Sequence, residues 1–230
     1  SSIFRFSSHA STTTTTNTPV PQLSDVHLMT SRLGLHPSQN RFHSPIVNHP
    51  NYSFTDWPPN HTFPMDKFDR IANALLTTSS KTVPGSNLPR PLVRNEQDFF
   101  QPLHFQKIPR EWFDIIDADF VDRFLQGQLT VEEARYIGFR EQTHRPELIE
   151  RTVLEVAGTI LTCQLAYQYG IACNVAGGTH HASPDGGAGY TILNDLAVAT
   201  NFMTQNYSKM IQKVLVIDCD VHQGDGTAKF

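Results

Sequence analysis

The stretch Val216-Ile217-Asp218-Cys219-Asp220-Val221-His222-Gln223-Gly224-Asp225-Gly226 decides how this chain is read. An apolar run from Lys213 reads as a strand that stops at Asp218. Asp218, Asp220 and His222 then occupy every second position, and in extended backbone side chains two apart point the same way. The spacing therefore projects three polar groups to one side, with Cys219 and Val221 on the other. Carboxylate and imidazole together form the oxygen and nitrogen donor set that a catalytic Zn2+ accepts.

Outward from there, a second polar cluster precedes it: Gly177-Gly178-Thr179-His180-His181-Ala182-Ser183-Pro184-Asp185-Gly186-Gly187-Ala188-Gly189-Tyr190. Adjacent histidines on a strand face opposite sides, so a pair serving one site must lie in a turn, and the flanking glycines supply one. Between and before the clusters the pattern alternates strand and helix. Pro146 to Tyr169 predicts a helix: proline suits the first turn, Glu147 complements the positive end, and apolar residues from Leu148 to Leu165 recur at helical period. Gly170 stops it. Ile171 to Ala176 reads as a short buried strand, Asp195 to Asn206 as a second helix, and Lys213 to Asp218 as a second strand. Strand, crossover helix and strand make a βαβ unit, so the expected fold is α/β with a parallel sheet flanked by helices. In such sheets function gathers beyond the carboxyl ends of strands, where both clusters fall.

The two clusters together closely resemble the zinc-dependent histone deacetylases. The marks are Gly177 to His181, Gly189-Tyr190, Leu193-Asn194-Asp195 and Asp218 to Gly226, in that order. Gln223 after the motif histidine is most similar to the class IV and bacterial deacetylase-like branch. The resemblance is fainter from His61 to Arg140, where Phe63 to Phe68 is similar to the family's first helix. It implies the arginase/deacetylase-type fold, cut short at its C-terminal side, with residues 43–230 forming the N-terminal portion of the domain.

The resemblance also implies roles. Asp220 and His222 match two zinc ligands; the third ligand, another aspartate, and a transition-state tyrosine are expected farther along than Phe230. His181 matches the general base and His180 its electrostatic partner, with Asp225 and Asp218 as their respective carboxylates. Asp218 oxygens match a monovalent-cation site, K+. Gly189 and Tyr190 match the substrate-binding step that lines an acyl-lysine tunnel; phenylalanine is usual there, so the Tyr190 hydroxyl must find water or a partner. The function implied is a zinc-dependent hydrolase removing acetyl or longer acyl groups from lysine side chains of histones or other proteins. The alternatives are an amidohydrolase of small acetylated amines and a non-catalytic interaction module. Arginase-type dimetal hydrolases need further ligands that this motif does not present.

Composition bounds the rest. With 18 Lys+Arg against 22 Asp+Glu and no basic run, direct nucleic-acid binding is disfavoured. No apolar stretch approaches the ~20 residues that span a bilayer. Cys163, Cys173 and Cys219 form no paired motif and sit in apolar segments, which reads as buried free thiols. Residues 1–42 form a Ser/Thr-rich leader whose first part, to about residue 24, carries no acid; that composition predicts disorder. It also suits a transit peptide, which would place the protein in a plastid or mitochondrion; without it, nucleus or cytoplasm is expected. Residues 38–64, rich in Pro, His and Asn, read as irregular surface chain; 65–76 as a helix; and 81–91 as a loop. Residues 111–125 read as a broken helix with Trp112, Phe113, Ile116, Phe120, Val121 and Phe124 on its apolar face.

Overall fold

One helix organises the molecule. In the computed structural model, which describes residues 3–5, 28–32, 44–78 and 93–230, helix α4 runs from Pro146 to Tyr169 and every residue from Arg151 to Ala166 is buried. A helix buried all round is a core element rather than an amphipathic surface one. Its buried threonines spend their hydroxyls locally: Thr152 donates to the Leu148 carbonyl at 2.8 Å and Thr162 to that of Gly158 at 2.7 Å. From it Leu148, Leu154, Ile160, Leu161 and Leu165 enter the core, together with Phe113, Phe120, Phe124 and Phe139 from the preceding segments. Each such side chain removed from water contributes roughly 1.5–3 kcal/mol.

Helix α1 (Lys67–Thr78), α2 (Ala118–Leu125), α3 (Val131–Ile137) and α5 (Asp195–Asn206) complete the helical set. The broken helix expected over 111–125 is a 3-10 turn, Arg110–Phe113, followed by α2, and all six of its expected apolar residues are buried. Helix α3 was not anticipated, although a capping box starts it: Thr130 accepts from Glu133 N while Glu133 accepts from Thr130 N. Among the described residues no helix is long and apolar enough to cross a membrane.

Strand β5 (Ile171–Asn174) directly follows α4 and is the middle of a three-stranded sheet. β3 (Ile46–Val47) pairs with it in parallel, Ile46 opposite Cys173, and β1 (Ile3–Arg5) pairs antiparallel on the other edge. A second pair joins β2 (Thr30–Arg32) to β4 (Gln101–Pro102). The fold is thus α/β, with a parallel strand pair flanked by helices. Two expectations change. Three residues of the leader, Ile3–Arg5, form a sheet strand; and the described part of 38–64, from residue 44, is not merely surface chain, since Val47 and Tyr52 are wholly buried. The loop expected over 81–91 lies outside the described residues.

The expected second strand, Lys213 to Asp218, is a correction. The segment is extended and keeps a strand's alternation, with Val214 and Val216 against the core and Leu215 and Ile217 exposed, yet it joins no ladder among the described residues. A strand needs a partner edge, and both edges of β5 are already taken by β1 and β3. The βαβ unit inferred from pattern is therefore not closed within the described residues. Cys219, expected to be buried, is exposed for the same reason, whereas Cys163 is buried and Cys173 half-buried; all three thiols are free.

Candidate active site

Beyond β5 the chain passes through Val175 and Ala176 into the turn that carries both histidines. Gly177 has φ of 96°, and a side chain there would also come within 2.5 Å of Asp195 Oδ2. Only glycine satisfies both demands. Here the His180 and His181 rings stand 4.2 Å apart, centroid to centroid. His180 is buried and His181 is partly exposed.

Each histidine is backed by a carboxylate from the later motif. His180 Nδ1 lies 2.6 Å from Asp218 Oδ2, and His181 Nδ1 lies 3.2 Å from Asp225 Oδ1. The hydrogen bond from His180 holds the Asp218 carboxyl below the usual carboxylate range, and that from His181 does the same for Asp225. Both acids are ionised at neutral pH, which fixes the ring nitrogen facing them as a donor.

The Asp218-to-His222 run reaches this arrangement by a different backbone from the one expected. Asp218 Oδ1 accepts from Asp220 N at 2.9 Å, and Asp220 Oδ1 accepts from His222 N at 2.7 Å. These are consecutive side-chain turns rather than a flat strand. The polar groups nevertheless collect on the histidine side: His222 Nδ1 is 2.9 Å from Asp220 Oδ1, and its ring stands 6.0 Å from that of His181. The backbone N–H of His222, then its ring, hold the Asp220 carboxyl low.

Asp220 and His222 are donors of the kind zinc takes. A catalytic zinc is usually held by three protein ligands, and among the described residues no group of three or more His, Cys, Asp or Glu could hold a metal ion. The donors fit in chemistry and fall one short in number.

Gly189 and Tyr190, the expected substrate-binding pair, part company. Gly189 (φ 53°) lies against His181, where an added Cβ would meet the ring Cδ2 at 2.6 Å. Tyr190, itself at φ 62°, donates its N–H to the Ile137 carbonyl at 2.7 Å and turns its ring into a cluster with His61, Phe63 and Phe139 at 6.0, 5.7 and 5.5 Å. Its hydroxyl finds the partner that the sequence reading required, in a short hydrogen bond with Thr62.

A buried layer under the turn carries residues to which the sequence reading gave no role. Asp195, fully buried at the start of α5, accepts from Gly178 N at 3.0 Å, Thr179 N at 2.8 Å and Thr159 Oγ1 at 2.6 Å. Glu155 accepts from Gly177 N at 3.0 Å and pairs with Arg151 at 3.0 Å, whose Nε donates to the Tyr52 carbonyl at 3.1 Å. Asn194 caps α5 by accepting from Ala197 N and donates to the Ala182 carbonyl at 2.7 Å. The Leu193-Asn194-Asp195 run was the available signal, but nothing in it named its partners.

Comparison with known proteins gives the family. The histone deacetylase domain matches residues 94–230. An uncharacterized protein of Picosynechococcus sp. is 42% identical over 185 residues, covering 80% of this chain and 54% of its own length. The acetoin utilization protein AcuC of Staphylococcus aureus is 30% identical over 119 residues, 50% of this chain and 29% of AcuC. Histone deacetylase 2 of Arabidopsis thaliana is 36% identical over 84 residues, 34% of this chain and 21% of that protein. Among solved structures, the HDA15 HD domain superposes with a TM-score of 0.55 at 18% identity, over 81% of this chain and 49% of that one, a likeness of fold. The chain belongs to the histone deacetylase family. It spans about half the length of the Picosynechococcus relative and less than a third of the AcuC and Arabidopsis ones.

Proposed function

We propose that the protein is a zinc-dependent hydrolase that removes acyl groups from lysine side chains of proteins, histones among them. The observation that carries this reading is the pair of adjacent imidazoles, 4.2 Å apart, each with its own ionised carboxylate. Amide hydrolysis needs a group that takes a proton from attacking water and then gives one to the leaving amine. His181, the more exposed of the two and oriented by Asp225, is placed for that exchange. His180, buried and held by Asp218, supplies fixed positive character beside the developing oxyanion when it is protonated. Gly189, lacking a side chain, leaves the face of His181 open, and Tyr190, next to it in sequence, is proposed to line the approach. Asp220 and His222 are proposed as two of the zinc ligands, and the Asp218 oxygens as a K+ contact. Bound zinc would lower the pKa of its water and polarise the carbonyl.

The similarity to a protein named for the utilization of a small metabolite favours a second reading in which the substrate is a small molecule rather than a protein, with an acetylated amine as the amide-bearing candidate. Turnover of an acetyl-lysine peptide set against a panel of acetylated polyamines, with and without added zinc, separates the two. Loss of turnover in His181→Ala together with zinc dependence supports the hydrolase; zinc-independent turnover, or activity intact in His181→Ala, sinks it. The acylated protein partner, and a location in a plastid or mitochondrion if the leader is a transit peptide and otherwise in the nucleus or cytoplasm, belong to this proposal as well.

A further inference from the structure

Asp195 is wholly buried, in a place where α5 is already capped by Asn194. A buried carboxylate is costly to desolvate and persists only where donors surround it. Its donors have a common address: Gly178 N, Thr179 N and the Thr179 hydroxyl, at 2.6 Å, are the atoms immediately before His180, and Thr159 supplies the remaining one from α4. Asp195 also stands in the first turn of α5, where backbone N–H groups favour an acceptor. On the far side of the histidines, Asn194 Nδ2 grips the Ala182 carbonyl, one residue past His181. Glu155 completes the hold at Gly177 N.

We propose that Asp195 is the positioning residue of the histidine pair: a buried acceptor that, with Asn194, clamps the backbone on both flanks and so sets where the two imidazoles stand. The proposal rests on the hydrolase reading, because only a reaction using both imidazoles needs them placed so closely. A displacement of about 1 Å at reacting groups is enough to lower turnover roughly 10²-fold. The clamp is thus the device by which α4 and α5, neither of which carries a catalytic side chain, impose that precision.

The test uses the full chain labelled with 15N at histidine. The short His180–Asp218 hydrogen bond should give a low-field Nδ1–H resonance, assigned by its loss in Asp218→Asn. In Asp195→Asn, checked as folded by circular dichroism and cooperative melting, that resonance is expected to move or broaden away, with kcat down roughly 10²-fold and KM held. An unmoved resonance in the folded variant overturns the proposal. Thr159→Val, which removes one donor while conserving shape, should move the resonance less and in the same direction. Should Asp195→Asn not fold, that variant decides, and an unmoved resonance there is equally fatal. Because the resonance is read without substrate, a chain that lacks acyl-lysine turnover yet shows the shift keeps the clamp and rejects only the hydrolase.

Discussion

His180 and Asp218 meet at 2.6 Å across 38 residues of chain, joining the turn after β5 to an extended segment that has no strand partner among the described residues. This contact ties the later motif to the site in the absence of a ladder. Asp218→Asn keeps the shape and removes the charge, so it loosens both the tautomer of His180 and the seat of the segment. We expect acyl-lysine turnover to fall about 10²-fold or more, the range for losing an acid–base partner. Steady-state kinetics of the folded variant checks this; a fall under about threefold would leave Asp218 as a tether only.

Gly189→Ala places a Cβ on the His181 ring and adds a side chain at φ 53°. Strain of this kind costs roughly 1–3 kcal/mol. The loss should appear twice, as a Tm lowered by several degrees and as reduced kcat, because relief requires His181 to move. Undisturbed turnover with a lowered Tm would show that the ring yields without leaving its working position.

Arg123 donates to both oxygens of Glu133, at 2.6 and 2.8 Å, and that pair holds the Glu133 carboxyl down to about 2, against 4.5 for a free glutamate. The sign follows from linkage: a depressed folded pKa adds stability above the unfolded value, and that stability is lost as pH falls from about 4.5 towards 2. Partial exposure screens the pair, so the contribution is on the order of 1 kcal/mol. Glu133→Gln should lower Tm by a few degrees at pH 7 and converge with the parent at low pH. Melting curves across that window test it, and a gap independent of pH would assign the effect to the capping box instead.

Tyr52 is wholly buried beneath the site, and its hydroxyl makes no hydrogen bond of good geometry, although the nearby Asn174 amide partly offsets the desolvation that pushes its pKa up. A buried hydroxyl without a partner forfeits its hydration, so Tyr52→Phe should be neutral or stabilising by up to about 1 kcal/mol. Chemical denaturation measures this; a clear destabilisation would reveal a partner for the hydroxyl.

Local signals carried much of this architecture. Proline at the start and glycine at the end bounded α4, because those rules concern a helix and its own termini. Thr130 and Glu133 spelled out a capping box equally local, and it went unread. What sequence could not convey was occupancy. Lys213 to Asp218 has the composition of a strand, but whether it pairs depends on which edges of β5 are free, and those are settled by Ile3–Arg5 and Ile46–Val47 far upstream. The histidines and their carboxylates were legible as motifs. The role of Asp195 was not, since its partners Thr179 and Thr159 lie 16 and 36 residues away and are defined only by packing.

Arg151, Glu155 and Thr159 sit on successive turns of α4, one beneath another, on the same helix whose remaining faces fill the core. A lineage altering this helix cannot adjust robustness and turnover independently, since any substitution that reshapes the interior also reshapes the support of the histidine turn. Drift in this protein should therefore be steered to the outward-facing helices, such as α3, where Tyr136 and Val131 lie open to solvent. A deep mutational scan scored for abundance would find α4 the least permissive segment of the chain, and one scored for turnover would rank it the same way.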